Sequence, residues 1–181
     1  MSKNNSSSEI SLNSYYERIV LDPFFTFVVM PDGQLVQLEN IQSTRTLDIV
    51  PGSFNPLHEA HEAIYKACKE PESMIMYEIS VRRLGKNDLT LEELKERLAQ
   101  FAWKAAILVT NAPYFLEKCG LMSNFEKKPN FHIGHDTAKR IVDIHGILGS
   151  QGIFANFFVY DRIEDGKQTS IKGWKVKPKN F

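Results

Sequence analysis

Pro51-Gly-Ser-Phe-Asn-Pro-Leu-His-Glu-Ala-His61 stands between two segments of different pattern. Before it, Leu47-Asp-Ile-Val50 reads as a short buried strand. After it, Ala60, Ala63, Ile64, Ala67 and Cys68 recur at helical spacing, predicting a helix from about His58 to Lys69. The quoted stretch is therefore the turn of a strand–turn–helix unit. Gly52 and Ser53 are small enough to let a ligand approach the backbone. Phe54-Asn55-Pro56 redirects the chain, and Pro56 suits a helix start, where its missing N–H is not needed. His58 and His61 lie three apart and so share one side of the first helical turn. Free N–H groups at a helix N-terminus favour an anion by about 0.3–1 kcal/mol. Two imidazoles there can donate further hydrogen bonds and, when protonated, positive charge. The arrangement reads as a cradle for a polyphosphate; the bland alternative is a helix with two incidental histidines.

Working outward, the strand and helix patterns alternate. Ser73–Ser80, Ala106–Thr110, Phe131–Gly134 and Ile153–Tyr160 read as strands. Thr90-Leu-Glu-Glu93 is a capping box opening a helix with Leu91, Leu94, Leu98, Phe101 and Ala102 as its apolar stripe. Tyr114–Cys119 reads as a short helix ended by Gly120, and Thr137–Ile147 as another helix. Alternation with short connections predicts an α/β fold, a Rossmann-like doubly wound parallel sheet, over residues 46–181. Ligands of such sheets bind outside the carboxyl ends of the strands, where the strand order reverses. Upstream, 1–14 reads as a disordered tail, polar and without an apolar stretch of the signal-peptide kind. Residues 15–45 read as an N-terminal appendage: a short helix over Tyr15–Ile19, then a β-hairpin. Its strands are Phe24–Met30 and Gln34–Leu38 around Pro31-Asp-Gly33, with Leu35 and Leu38 near one end of its buried face. The hairpin either covers the domain's own sheet edge or pairs with another subunit, and oligomeric state stays open. After Arg162 the sequence is basic and loop-like.

Composition narrows the partners. The chain has 181 residues, 43% hydrophobic and 24% charged, in the range of one globular domain. Its 22 basic residues equal its 22 acidic ones, so no global field favours nucleic acid or an anionic membrane. Any anionic ligand must be held by local geometry. No apolar run approaches the ~20 residues of a membrane helix, and a cytoplasmic location is expected. Cys68 and Cys119 lack metal-site spacing and read as small apolar core residues in a reducing compartment.

The string Gly52-Ser-Phe-Asn-Pro-Leu-His-Glu-Ala-His61 resembles the G-x-F-(D/N)-P-x-H-x-G-H motif of the nucleotidylyltransferase superfamily. Phe131-His-Ile-Gly-His-Asp-Thr137 is similar to the hydrophobic-I-G-x-D segment of nicotinamide mononucleotide adenylyltransferases. Met76–Ser80, the Lys86 loop, the Leu91–Phe101 helix and Val109-Thr-Asn-Ala-Pro-Tyr-Phe115 resemble a nicotinamide-nucleotide adenylyltransferase-like branch of that family. The resemblance covers about residues 46 to 163; the first motif is the specific one.

The resemblance implies transfer of AMP from ATP to a small phosphorylated acceptor, nicotinamide mononucleotide first among candidates, with release of pyrophosphate. The same resemblance implies a place in NAD biosynthesis. It implies Mg²⁺ arriving with ATP, which needs no acidic protein cage because Mg²⁺ keeps several waters. Carried onto this chain, His58 and His61 contact the triphosphate, and Lys86 reaches phosphates from its loop. Gly52, Ser53, Phe54, Asn55, Gly134 and Asp136 line the nucleotide site, Asp136 on a ribose hydroxyl. Arg162 contacts phosphate or simply ends a strand, and Lys86 reads equally as a solvated loop lysine. Asn111 and Tyr114 are acceptor-pocket candidates, or a turn residue and a core aromatic.

His132-Ile-Gly-His135 matches the two-histidine pattern more closely by letter, and class I aminoacyl-tRNA synthetases use such a string. His132 falls inside a strand with no Gly-rich turn before it, so it reads as structural; His135 stays open. Two departures bear on activity. Ala60 stands where the family usually has Gly. The I-S-S-T-x-x-R segment that grips the triphosphate is absent; Thr169-Ser170-Ile171 substitutes poorly, and Lys167, Lys172, Lys175, Lys177 and Lys179 offer charge in its place. The competing expectations are a non-catalytic nucleotide-binding module of the same fold, and a transferase using CTP or another acceptor.

Overall fold

The computed structural model describes residues 5–42, 44–68, 72–134, 136–138, 140, 155–160 and 174–176. Eight described strands form one sheet, in the order β2-β1-β5-β4-β3-β6-β7-β8. Their ranges are β1 Phe27–Val29, β2 Leu35–Gln37, β3 Thr46–Pro51 and β4 Ser73–Ser80. They continue with β5 Ala106–Thr110, β6 Asn130–Gly134, β7 Asn156–Tyr160 and β8 Trp174–Val176. The five central strands, β5-β4-β3-β6-β7, are parallel. The chain starts them in the middle at β3, runs outward through β4 to β5, then returns to β6 on the other side of β3. The order thus reverses between β3 and β6, and their carboxyl ends, Pro51 and Gly134, flank the crevice that results.

Helices cover both faces, as a parallel sheet requires. Alternation along β3 sends Val50 into one core and Leu47 and Ile49 into the other. The first core takes Ile19 of α1 (Asn5–Leu21), Ile64 and Cys68 from α2 (Glu59–Ala67) and its cap, and Leu94 and Leu98 of α3 (Leu91–Ala99). The second takes Phe115 and Cys119 of α4 (Phe115–Leu121), packed on Phe131. The capping box reads as expected: Thr90 Oγ1 accepts from the Glu93 N–H at 3.2 Å, and Glu93 Oε2 from the Thr90 N–H at 2.9 Å. Both cysteines are buried, and burial pushes each thiol up to about 12.

Several expectations change. The segment read as a tail is helical from Asn5, because Leu12, Tyr15, Tyr16 and Ile19 repeat at helical spacing and pack on the first core. The hairpin forms, but it is not an appendage. β1 pairs antiparallel with β5, Phe27 opposite Val109, so the hairpin closes that edge of the domain's own sheet. Leu35 and Leu38 join opposite cores, not one buried face. In α2, Ala60 and Ala67 are exposed and Ile64 carries the packing. Gly120 lies within α4, which runs one residue further. Trp174–Val176, read as loop, pairs antiparallel with β7. Residues 136–138 and 140 are helical, while the remainder of the helix read over Thr137–Ile147 lies outside the described residues, as do 153 and 154. Among the described residues no helix is long and apolar enough to cross a membrane.

Candidate functional site

The turn after β3 is shaped by Phe54. Its ring is 1% exposed and meets Tyr77, Phe101 and His61 edge to face, at centroid distances of 5.2, 5.2 and 4.9 Å. It also lies over Gly52, where a Cβ would fall 2.7 Å from the ring, so Gly52 is needed for this packing. The backbone bends through a positive φ of 44° at Phe54 and a cis Asn55–Pro56 peptide. Pro56 therefore sits in the turn, and the helix begins at Glu59 with His58 as its cap. The last turn of α3 holds the loop in place. Arg97 Nη1 donates to the Ser53 carbonyl at 2.7 Å, and Gln100 Nε2 to the Phe54 carbonyl at 2.9 Å. Gln100 Oε1 accepts from the Leu57 N–H at 2.7 Å.

A crevice of about 280 Å³ opens at the carboxyl ends of the parallel strands. Pro51, Gly52 and Ser53 form one wall; Arg82, Arg83, Lys86, Arg97, Lys118 and Arg140 also line it. Six cationic side chains thus converge in a chain whose formal net charge is zero. Arg83 is partly engaged, by Glu93 at 3.8 Å and the Asn87 carbonyl at 2.6 Å. Arg140 reaches the Asp136 carbonyl and Thr137 Oγ1, each at 3.3 Å. Arg82 and Lys86 have no ion-pair partner among the described residues. Burial lowers the Arg97 guanidinium, helped by nearby Arg83, although an arginine stays charged. The crevice carboxylate is Glu78, 1% exposed, with Oε1 shared by Lys118 Nζ at 2.5 Å and Thr110 Oγ1 at 2.6 Å.

The predicted residues divide. Gly52, Ser53 and Lys86 line the crevice. Gly134 ends β6, where a Cβ would meet nothing within 4 Å, so space beside it is open. Phe54 turns into the core and Asn55 is exposed on the turn. His58 and His61 stack at 5.8 Å on the start of α2, outside the crevice lining. The His58 N–H donates to His61 Nδ1 at 3.3 Å. Burial, and then the neighbouring His58, lower the His61 imidazole, favouring its neutral form. Glu59 and Glu62 occupy the same helical turn and already satisfy its positive end. The phosphate-friendly charge is therefore in the crevice and not at the start of α2. Asp136 is exposed and helical just beyond β6, and Thr137 and Arg140 turn to the crevice. Asn111 Nδ2 donates to the Ile19 carbonyl at 2.9 Å and fastens α1, so it is spoken for. Tyr114 caps α4, while its neighbours Pro113 and Phe115 line the crevice. Arg162, His135 and the side chains of the C-terminal lysines lie outside the described residues.

His132 is 5% exposed, with Nδ1 2.8 Å from Tyr160 Oη and Nε2 2.7 Å from Asp48 Oδ1, which also accepts from Asn130 at 2.9 Å. Burial acts to raise the Asp48 carboxyl, but hydrogen bonds, that of His132 first among them, outweigh it and hold it below the usual value. Both ring nitrogens of His132 are thus bonded within the fold. A cavity of about 820 Å³ borders this network toward the amino ends of the strands. A third, of about 440 Å³ between α3 and the hairpin, is mostly apolar. Neither concentrates cations as the crevice does.

Arg82, Arg83, Arg97, Lys118 and Arg140 were not anticipated, yet two of them leave a trace. Arg97 falls on the buried stripe Leu94, Leu98, Phe101, and Lys118 on the stripe Phe115, Cys119, Met122. A cation at a core position of a helix calls for a partner or a ligand. No protein-family model matches the sequence, and no curated protein matches it significantly.

Proposed function

We propose that the crevice binds the phosphates of a nucleoside triphosphate, ATP first, and that the chain transfers its nucleotidyl group to a small phosphorylated acceptor such as nicotinamide mononucleotide. The observation carrying this reading is the gathering of Arg82, Arg83, Lys86 and Arg97 at the carboxyl ends of β3 and β4, beside the Gly52–Ser53 backbone and next to the reversal of strand order. The likeness of Gly52–His61 and Phe131–Thr137 to the nucleotidylyltransferase segments supports it. In the reaction an acceptor phosphate oxygen attacks the α-phosphorus in line; that P–O bond forms as the α–β bridge breaks, and pyrophosphate carries away the electron pair. Such a transfer asks the protein for positioning and charge. Arg82, Arg83 and Lys86 neutralise phosphate oxygens, and Arg97 fixes the Ser53 backbone against which they lie. Among the described residues no three His, Cys, Asp or Glu side chains form a metal cage, and Glu78 is already bonded to Lys118 and Thr110. Mg²⁺ would enter on the nucleotide with its waters, and no step is assigned to it.

The test is pyrophosphate release from ATP and Mg²⁺ over a panel of acceptors, with mass detection of products. A dinucleotide product formed by the wild type, with ATP affinity reduced at least tenfold in Arg83→Ala/Lys86→Ala, supports the reading. Failure of the wild type to bind any triphosphate overturns it. A second reading, binding without transfer, is favoured by the place of His58 and His61 outside the crevice; ATP binding with no product from any acceptor would select it. Competition between ATP and CTP assigns the base.

A further inference from the structure

The crevice cations arrive from opposite faces of the sheet. Arg97 belongs to α3, on the face covered by α1 and α2; Lys118 belongs to α4, on the other face. Between them run the carboxyl ends of β3 and β4, with Gly52, Glu78 and Ser80 on the crevice wall. The two groups also differ in number, four cations against two. Arg82, Arg83, Lys86 and Arg97 stand near the carboxylates of Glu93, Glu96 and Asp88, none of them buried. Lys118 is 4% exposed and paired with Glu78, so its side of the crevice keeps a small net charge, supplied by Arg140.

We propose that the Lys118 side is a separate seat for a single phosphate monoester, that of the acceptor, while the arginine-rich side holds the polyphosphate. This inference rests on reading the crevice as a nucleotidyl-transfer site. A buried ammonium has three N–H donors. Among the described residues Nζ of Lys118 meets the one oxygen Glu78 Oε1, and that oxygen is itself fixed by Thr110. The ammonium is thus held in place with donor capacity to spare, on the wall of a crevice. A monoester, carrying about −1.5 to −2 at pH 7, satisfies that capacity. The buried Glu78 carboxylate beside it repels a triphosphate more strongly than the less highly charged monoester, which leaves the polyphosphate to the side with four cations. Two anions that must meet at the α-phosphorus need such flanking seats, since otherwise their repulsion opposes the approach.

The alternative role for the pair is to tie α4 to β4. Removing Lys118 alone would strand a buried carboxylate and unfold the comparison, so the variant is the near-isosteric Glu78→Gln/Lys118→Gln. Nicotinamide mononucleotide and inorganic phosphate are titrated calorimetrically into wild type and variant, with and without α,β-methylene-ATP. The expected result is a loss of at least tenfold, about 1.4 kcal/mol, in affinity for the monoester, with affinity for the ATP analogue kept within twofold. Arg83→Ala/Lys86→Ala should show the reverse pattern. Unchanged monoester affinity in the double glutamine variant, whatever its melting temperature, overturns the proposal. So does a wild type that takes up neither probe. A wild type that binds the monoester but not the ATP analogue defeats the nucleotide reading of the crevice and leaves the Lys118 seat to be judged by the same variant.

Discussion

The two ends of β3 carry opposite kinds of polar site. Toward the amino end, Asp48 Oδ1, His132, Tyr160 and Asn130 form one hydrogen-bonded network, while Asp48 Oδ2 is buried with no hydrogen bond among the described residues. At the carboxyl end, six cations line a crevice whose one lining carboxylate, Glu78, is itself engaged, with Glu93 reaching Arg83 from beside it. The larger cavity lies beside the first and the smaller beside the second. We place the ligand in the smaller cavity because its cations outnumber its carboxylate, not because of its size. The histidine string closer to the motif by letter, His132–His135, begins in the amino-end network, whereas the Gly52–Ser53 turn borders the cationic crevice.

If the amino-end network is structural, its loss costs stability before it costs anything else. Asp48→Ala leaves His132 and Asn130 without their shared acceptor and should destabilise the fold by about 3–5 kcal/mol, read by urea denaturation at pH 7. The same carboxyl gives a pH signature. Its folded pKa is depressed, so its contribution is complete above the unfolded value near 4 and is lost as pH falls through the folded one. Asp48→Asn should flatten that acid limb. A stable Asp48→Ala protein that lost nucleotide binding would reverse the assignment of the two ends.

The arrangement of the core strands was legible because β3, β4 and β5 are apolar runs spaced by helices and turns of short length. The Gly52–His61 turn was legible because Gly, Pro and paired His are rare together. The edges were harder. The helix from Asn5 starts in a Ser/Asn-rich stretch of weak propensity, and it is tertiary packing through Tyr15, Tyr16 and Ile19 that selects it. The crevice cations are distributed over four segments, the loop after β4, α3, α4 and the residues beyond β6, so only the strand order brings them together. Phe54 shows the limit most clearly. Its motif neighbours suggested ligand contact, while its ring is the centre of an aromatic cluster. That cluster is why Gly52 cannot carry a side chain. Gly52→Ala should cost about 1–3 kcal/mol, because the new Cβ and the Phe54 ring must move apart. The displacement would pass to Ser53 and Arg97, so ATP affinity should fall with it. An alanine variant with wild-type stability would show that Gly52 serves the ligand alone.

The smallest effect bears on His61, which lies between the two ends in character: half-buried against Phe54, yet close to the turn that borders the crevice. Burial and then His58 depress its imidazole. A histidine depressed in the fold must take up a proton on unfolding. Stability should therefore be complete above the unfolded value near 6.5 and decline as pH falls through it, a slope that His61→Gln removes. Nucleotide binding then separates the two roles open to this ring. If phosphates stay in the crevice, ATP should bind at pH 7 with no proton uptake assignable to His61, measured by calorimetry in buffers of different ionisation enthalpy. Uptake of a proton that disappears in His61→Gln would mean that bound phosphate draws the imidazole into its charged form. The anion site would then extend from the crevice onto the start of α2, despite Glu59 and Glu62 in that turn.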